Sequence, residues 1–277
     1  MPCPFATTMQ ILLGGIGDGL ALTLSAPLTK LSLHLQVDSS LKLDSSVYTT
    51  LISKGGGSVW SLWHGNGLNF WYTVLLKNLH SYLQHWLSNN HESIVHKYLL
   101  RSNTNSKTDK EKKLDLDRKA NLLAGCSSLA ILFPLNLAVT CFTLDHERKP
   151  SDGSLQSFWA AHPAWTSLYH GLFFAFSSYI VQTISYWNVA ERFTPLAGSY
   201  WTRWSKLQGL SLLSTTLAYP LETISKRRQL GNDDTGNLFA GLSIRIMGHL
   251  VQQYTHTVYN SGPVQDVVRN FTMKYFH

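Results

Sequence analysis

The sequence predicts an all-α membrane protein with six transmembrane helices in three tandem repeats. Two repeated motifs and the charge distribution predict it. Three times a proline lies inside a long apolar stretch and opens a similar segment: Ala26-Pro27-Leu28-Thr29-Lys30-Leu31-Ser32, Phe133-Pro134-Leu135-Asn136-Leu137-Ala138-Val139 and Tyr219-Pro220-Leu221-Glu222-Thr223-Ile224-Ser225. A proline removes a backbone donor and kinks a helix, so equivalent prolines at three places imply three copies of one unit. Each is followed by an aromatic-x-Gly element, at Trp63-His64-Gly65, Tyr169-His170-Gly171 and Phe239-Ala240-Gly241. The proline-to-glycine spacing is 38, 37 and 21 residues, so the third unit is shorter than the other two.

Charged residues make up only 14% of the 277-residue chain, against about 25% in ordinary globular proteins. No Asp, Glu, Lys or Arg occurs in 55–76, 120–144, 154–190 or 246–265. A bilayer-spanning helix needs about 20 such residues. The mean hydropathy of −0.06 is modest because these runs are rich in Ser, Thr, Asn, Gln and His. Such side chains are tolerated where they face a bundle interior or a hydrated cavity. Nine Trp and twelve Tyr suit helix ends at a membrane interface, and the net charge of +7 suits anionic head groups. The basic residues form no stripe, which argues against nucleic-acid binding. Cys3, Cys126 and Cys141 have neither metal nor disulfide spacing, and the twelve His are scattered, so no metal site or cofactor is expected. The N-terminus lacks an Arg-rich amphipathic presequence, so targeting is expected to be internal.

In chain order, the first helix is expected over 9–37, where Gly15 and Gly19 allow close helix approach. A surface helix follows over 45–54, then the run Gly55-Gly56-Gly57 and a second long helix over 66–90. The mixed-charge stretch 93–117 reads as a solvated loop. The third helix is placed at 118–146, a second surface helix at 153–162, and the fourth long helix at 168–195. The fifth and sixth are placed at 204–229 and 239–261, with no room between them for a third surface helix. The repeats are thus about 9–92, 118–197 and 204–262, forming one domain.

This arrangement resembles the mitochondrial carrier family, and most of all its ADP/ATP carriers, with Pro27 to Gln36 and Ser61 to Asn66 as the nearest segments. The resemblance implies residence in the mitochondrial inner membrane, multi-pass, with both termini toward the intermembrane space. It also implies a gate at the matrix side, made by Pro-x-acid-x-x-base motifs whose ion pairs form and break in alternating access. At the positions of that gate this chain has Pro27, Thr29 and Ser32; Pro134, Asn136 and Val139; and Pro220, Glu222 and Ser225. Only Glu222 keeps a charge, and Lys30 and Lys226 stand one residue off, about 100° around the helix.

The opposite gate falls on Leu83-Gln84, Ala190-Glu191 and Tyr259-Asn260, where only Glu191 is acidic. Two basic positions of the nucleotide carriers are Leu22 and Tyr72. Arg245 is read either as a cavity residue or as an anchor of the sixth helix to head groups or backbone carbonyls. The resemblance further implies cardiolipin on the N-termini of the even helices, at Trp63, His64, Gly65 and Asn66, at Tyr169, His170, Gly171 and Leu172, and more weakly at Gly241 and Leu242. Tight helix packing is the alternative role of those glycines. No catalytic constellation is present, so an enzyme is not expected. Two functions stay open: a solute carrier for a nucleotide or other small metabolite, and a transport-inactive structural subunit of a respiratory-chain complex. The loss of both gates and of the cationic site, beside a retained framework, favours the second.

Overall fold

A computed structural model describes residues 4–38, 49, 52, 58–89, 109–144, 154–161, 165–193 and 200–259. These residues are helical apart from turns and short connections, and contain no strand. Six helices are long: α1 (Pro4–Val37), α2 (Asn66–Asn89), α3 (Asp109–Leu144), α6 (Leu172–Phe193), α7 (Tyr200–Gln229) and α8 (Leu242–Tyr259). A 3-10 turn at Val59–Trp63 precedes α2, and two short helices, α4 (Leu155–Ala161) and α5 (Trp165–Leu168), precede α6.

The long helices close into a ring. In chain order each packs on its neighbour, and α8 returns to pack on α1. The α3–α6 and α7–α8 seams are sparse compared with the others. Helices α1, α3 and α7 continue through Pro27, Pro134 and Pro220, and α1 also touches α3 and α7 directly. The proline-bearing helices therefore converge.

Three glycines lock this convergence in cyclic order. Gly65, Gly171 and Gly241 have φ of 80°, 87° and 79°, a left-handed conformation that other L-residues adopt only with strain. A Cβ on Gly65 would lie 2.9 Å from the Thr143 Cα of α3, one on Gly171 would lie 2.6 Å from the Ser225 carbonyl of α7, and one on Gly241 would lie 2.8 Å from the Ser32 carbonyl of α1. Each turn is thus wedged against the next proline-bearing helix, and the third wedge closes the ring.

Apolar side chains occupy much of the exterior, and polar ones share the interior with an apolar core. Leu20 and Leu24, Trp71 and Leu75, and Leu213 and Leu217 form exposed i,i+4 pairs, and Ile131, Phe173 and Met247 are also exposed. Buried polar side chains include Ser25, Gln36, Thr140, Thr143, Ser178 and Thr215. The largest apolar cluster sits at one end, where Leu137, Cys141 and Phe142 of α3 meet Phe158 of α4 and Leu168 of α5. Among the described residues, only Leu114–Leu144 is long and apolar enough by itself to cross a membrane, with a hydropathy of 2.0.

Two expectations are corrected or bounded. The charged loop over 93–117 ends earlier, because α3 begins at Asp109 and takes up nine of those residues, 109–117. Lys, Glu and Leu are strong helix formers, and opposite charges recur four apart in that stretch, as in Asp115 and Lys119. The surface helix expected over 45–54 lies outside the described residues apart from positions 49 and 52.

Between α7 and α8 there is no helix. Helix α7 ends in a Schellman turn, with Gly231 at φ 76° and the Asn232 amide donating to the Arg227 carbonyl at 2.9 Å. The loop then folds on its own side chains. Asn232 Oδ1 accepts from the Asp234 amide, Asp234 Oδ1 from the Gly236 amide, and Asn237 Oδ1 from the Phe239 amide.

Candidate functional site

The ring encloses a cavity of about 370 Å³. Its walls carry Leu22 and Thr29 of α1, Tyr72 of α2, Asn136 and Val139 of α3, Gln182 of α6, Glu222 and Lys226 of α7, and Arg245 of α8. All six acid and base positions of the motifs named above, Thr29, Ser32, Asn136, Val139, Glu222 and Ser225, therefore meet in one space. Leu22 and Tyr72 do so too, so the wall at those positions is apolar or phenolic. Arg245 faces the cavity rather than anchoring outward, and its Nη2 lies 3.1 Å from Glu222 Oε1. That pair joins α7 to α8 and balances the charge of Glu222.

Lys226 departs from the expected geometry. Its offset along the helix predicts that it points away from the gate, yet its ammonium donates to Asn136 Oδ1 and Thr140 Oγ1, both at 2.9 Å, and to Gln229 Oε1 at 3.4 Å. The flexible four-carbon stem covers the offset, and α7 is tied to α3 by a cation on neutral oxygens. Lys30 does turn away: it donates to the Ser61 carbonyl of the 3-10 turn at 3.1 Å and does not line the cavity. Of the hydroxyls at the motif positions, Ser225 donates to the Gly171 carbonyl at 3.0 Å, whereas Thr29 has no hydrogen-bond partner among the described residues.

Arg227 was not foreseen. It is only 1% exposed, and its guanidinium donates to four carbonyls. Nε reaches Gln36 at 2.7 Å, Nη1 reaches Asp234 at 3.0 Å and Gly236 at 3.2 Å, and Nη2 reaches Asn237 at 2.9 Å. One side chain thus fastens the C-terminus of α1 to the loop between α7 and α8. The C-terminal carbonyls of a helix carry partial negative charge, which suits a cation.

At the aromatic-x-Gly turns, Trp63 Nε1 donates to the Thr23 carbonyl at 3.0 Å and Asn66 Nδ2 to Thr23 Oγ1 at 3.1 Å, fixing the start of α2 on α1. Tyr169 stacks on Phe133 with ring centroids 6.1 Å apart. The Leu172 and Leu242 amides donate back to Tyr169 and Phe239, both at 3.1 Å, so neither is offered outward. His64 and His170 are exposed.

No family model matches this chain, and no curated protein matches it. The cavity and its wall therefore have to be read on their own chemistry. Gln84 is partly buried in α2. Glu191 and Tyr259 belong to α6 and α8, but their side chains lie outside the described residues, as does Asn260 altogether. Among the described residues no cluster of His, Cys, Asp or Glu could hold a metal.

Proposed function

We propose that this chain is a degenerate protein of the mitochondrial carrier type, embedded in the inner membrane as six spans in three repeats. In this reading it transports nothing and serves as a structural subunit of a respiratory-chain complex, with cardiolipin against its aromatic-x-Gly turns. The ring of six long helices, the cyclic glycine wedges, the exposed apolar side chains and the buried polar ones support the architecture.

One observation carries the loss of transport. Where α1, α3 and α7 converge, the bonds include Lys226 to Asn136 and Thr140, Ser225 to the Gly171 carbonyl, Arg227 to the Gln36 carbonyl, and the neutral pair Thr140–Gln229. Alternating access needs contacts of similar strength that exchange between two states. A buried guanidinium on four carbonyls would give up all four bonds on opening, which would leave those groups unpaired. The non-helical loop 231–238 between α7 and α8 supports a docking role on that flank.

Purification of the tagged chain in mild detergent tests this reading. Stable association with a respiratory complex is expected, and migration as a free protein under conditions that keep such complexes whole would sink it. A second reading, a carrier of a small solute, is favoured by the cavity itself, where Arg245, Glu222 and Lys226 stand together on the wall. Saturable flux in liposomes distinguishes the two.

A further inference from the structure

The end of the cavity where α1, α3 and α7 meet presents donors without acceptors. Gln36 and Thr143 line it while being only 2% and 6% exposed. The Thr143 hydroxyl has no hydrogen-bond partner among the described residues, and the Gln36 amide nitrogen, beside the Tyr219 hydroxyl, makes no hydrogen bond of ordinary geometry. Thr140 in the same helix returns its hydroxyl to the carbonyl four residues back, at 2.9 Å, which is the usual resort of a helical threonine. Thr143 does not. Buried polar groups are nearly always satisfied, so such a cluster points to a partner that the protein itself does not supply.

Charge gives the partner's sign. Three ionisable charges line the cavity: Glu222, Lys226 and Arg245. Glu222 and Arg245 pair with each other, which leaves the Lys226 ammonium bonded only to neutral oxygens. A cation withdrawn from water without a counter-charge favours an anion, and one excess charge favours a single negative charge. The space of about 370 Å³ exceeds a monatomic ion, and Leu33 and Val139, each within about one helical turn of Gln36 or Thr143, give this end an apolar side.

We propose that this end of the cavity binds a small organic monocarboxylate. Lys226 meets its charge, the Gln36 amide and the Thr143 hydroxyl donate to its oxygens, and the leucine and valine wall holds its apolar body. Binding of this kind requires no transport cycle, and a resident carboxylate would rigidify the junction of the three proline-bearing helices.

The test uses the full chain in detergent, titrated calorimetrically with benzoate as the probe, and with phthalate and benzyl alcohol as its dianionic and uncharged counterparts. Benzoate is expected to bind saturably and about tenfold or more tighter than either counterpart, since a charge-assisted hydrogen bond is lost or a second charge is left unmet. Lys226→Gln should weaken benzoate about tenfold. Thr143→Val keeps the side-chain shape and removes one donor, so it should weaken benzoate severalfold without lowering the melting temperature of the ligand-free protein. If Lys226→Gln fails to fold, Thr143→Val decides alone. No saturable benzoate binding, equal binding of benzyl alcohol, or unchanged affinity in the folded variants would overturn the proposal.

Discussion

Arg227 of α7 donates through Nε to the Gln36 carbonyl of α1 at 2.7 Å, across 191 residues of sequence. With three further carbonyls on the same guanidinium, this bond closes the shortened third unit onto the first.

Replacing Arg227 with Met should therefore destabilise strongly. Removing the donor leaves buried carbonyls unpaired, a loss of about 3 kcal/mol at least. For a chain of this size that lowers the melting temperature by roughly 6–12 °C. Arg227→Lys should recover only part, because an ammonium cannot span the fork. Thermal unfolding in detergent measures both, and a shift under about 1 °C for the Met variant would show that the four bonds hold nothing.

The glycine wedges make a graded prediction. Gly65→Ala, Gly171→Ala and Gly241→Ala each force a positive φ on an L-residue and drive Cβ into the facing helix, for a cost of about 2 kcal/mol or more. Gly67→Ala, one residue into α2 and with open space at its Cβ, should change stability by less than about 0.5 kcal/mol. Ranking the four variants by melting temperature checks the cyclic contact directly, and equal effects at Gly67 and Gly241 would contradict it.

The Glu222–Arg245 pair lies between the surface and buried limits, its side chains 25% and 31% exposed. A double-mutant cycle with Glu222→Gln and Arg245→Met should return a coupling of about 1–2 kcal/mol, with the double variant more stable than the single effects sum to. Coupling indistinguishable from zero would mean that the two residues stand together without interacting.

Much of this architecture was legible in the residues. The aromatic-x-Gly turns announced themselves because the left-handed conformation at Gly65, Gly171 and Gly241 admits little else, and the missing surface helix showed simply as too few residues between Arg227 and Gly241. Leu22 and Tyr72, which the resemblance to nucleotide carriers singled out, and Arg245, read as a cavity residue or an anchor, all line the cavity. Other features left no such trace. The start of α3 was hidden because a mixed-charge stretch suits both a solvated loop and a charged helix. Lys226 was misplaced because helical angle fixes where a side chain leaves the backbone, not how far four methylenes carry its ammonium. Arg227 could not be found from side-chain patterns, since every one of its partners is a backbone carbonyl. The dispersed polar residues also hold hydropathy down, so that only Leu114–Leu144 registers as a span by composition.

The claim that this chain does not carry a nucleotide is tested most directly by ADP/ATP exchange in liposomes reconstituted with the purified protein. A nucleotide with about three negative charges would enter a cavity whose lining is one positive charge in excess, and each unmet charge costs several kcal/mol. The account predicts exchange no faster than in protein-free liposomes, for wild type and Arg245→Ala alike. Robust, saturable exchange that Arg245→Ala abolishes would contradict it.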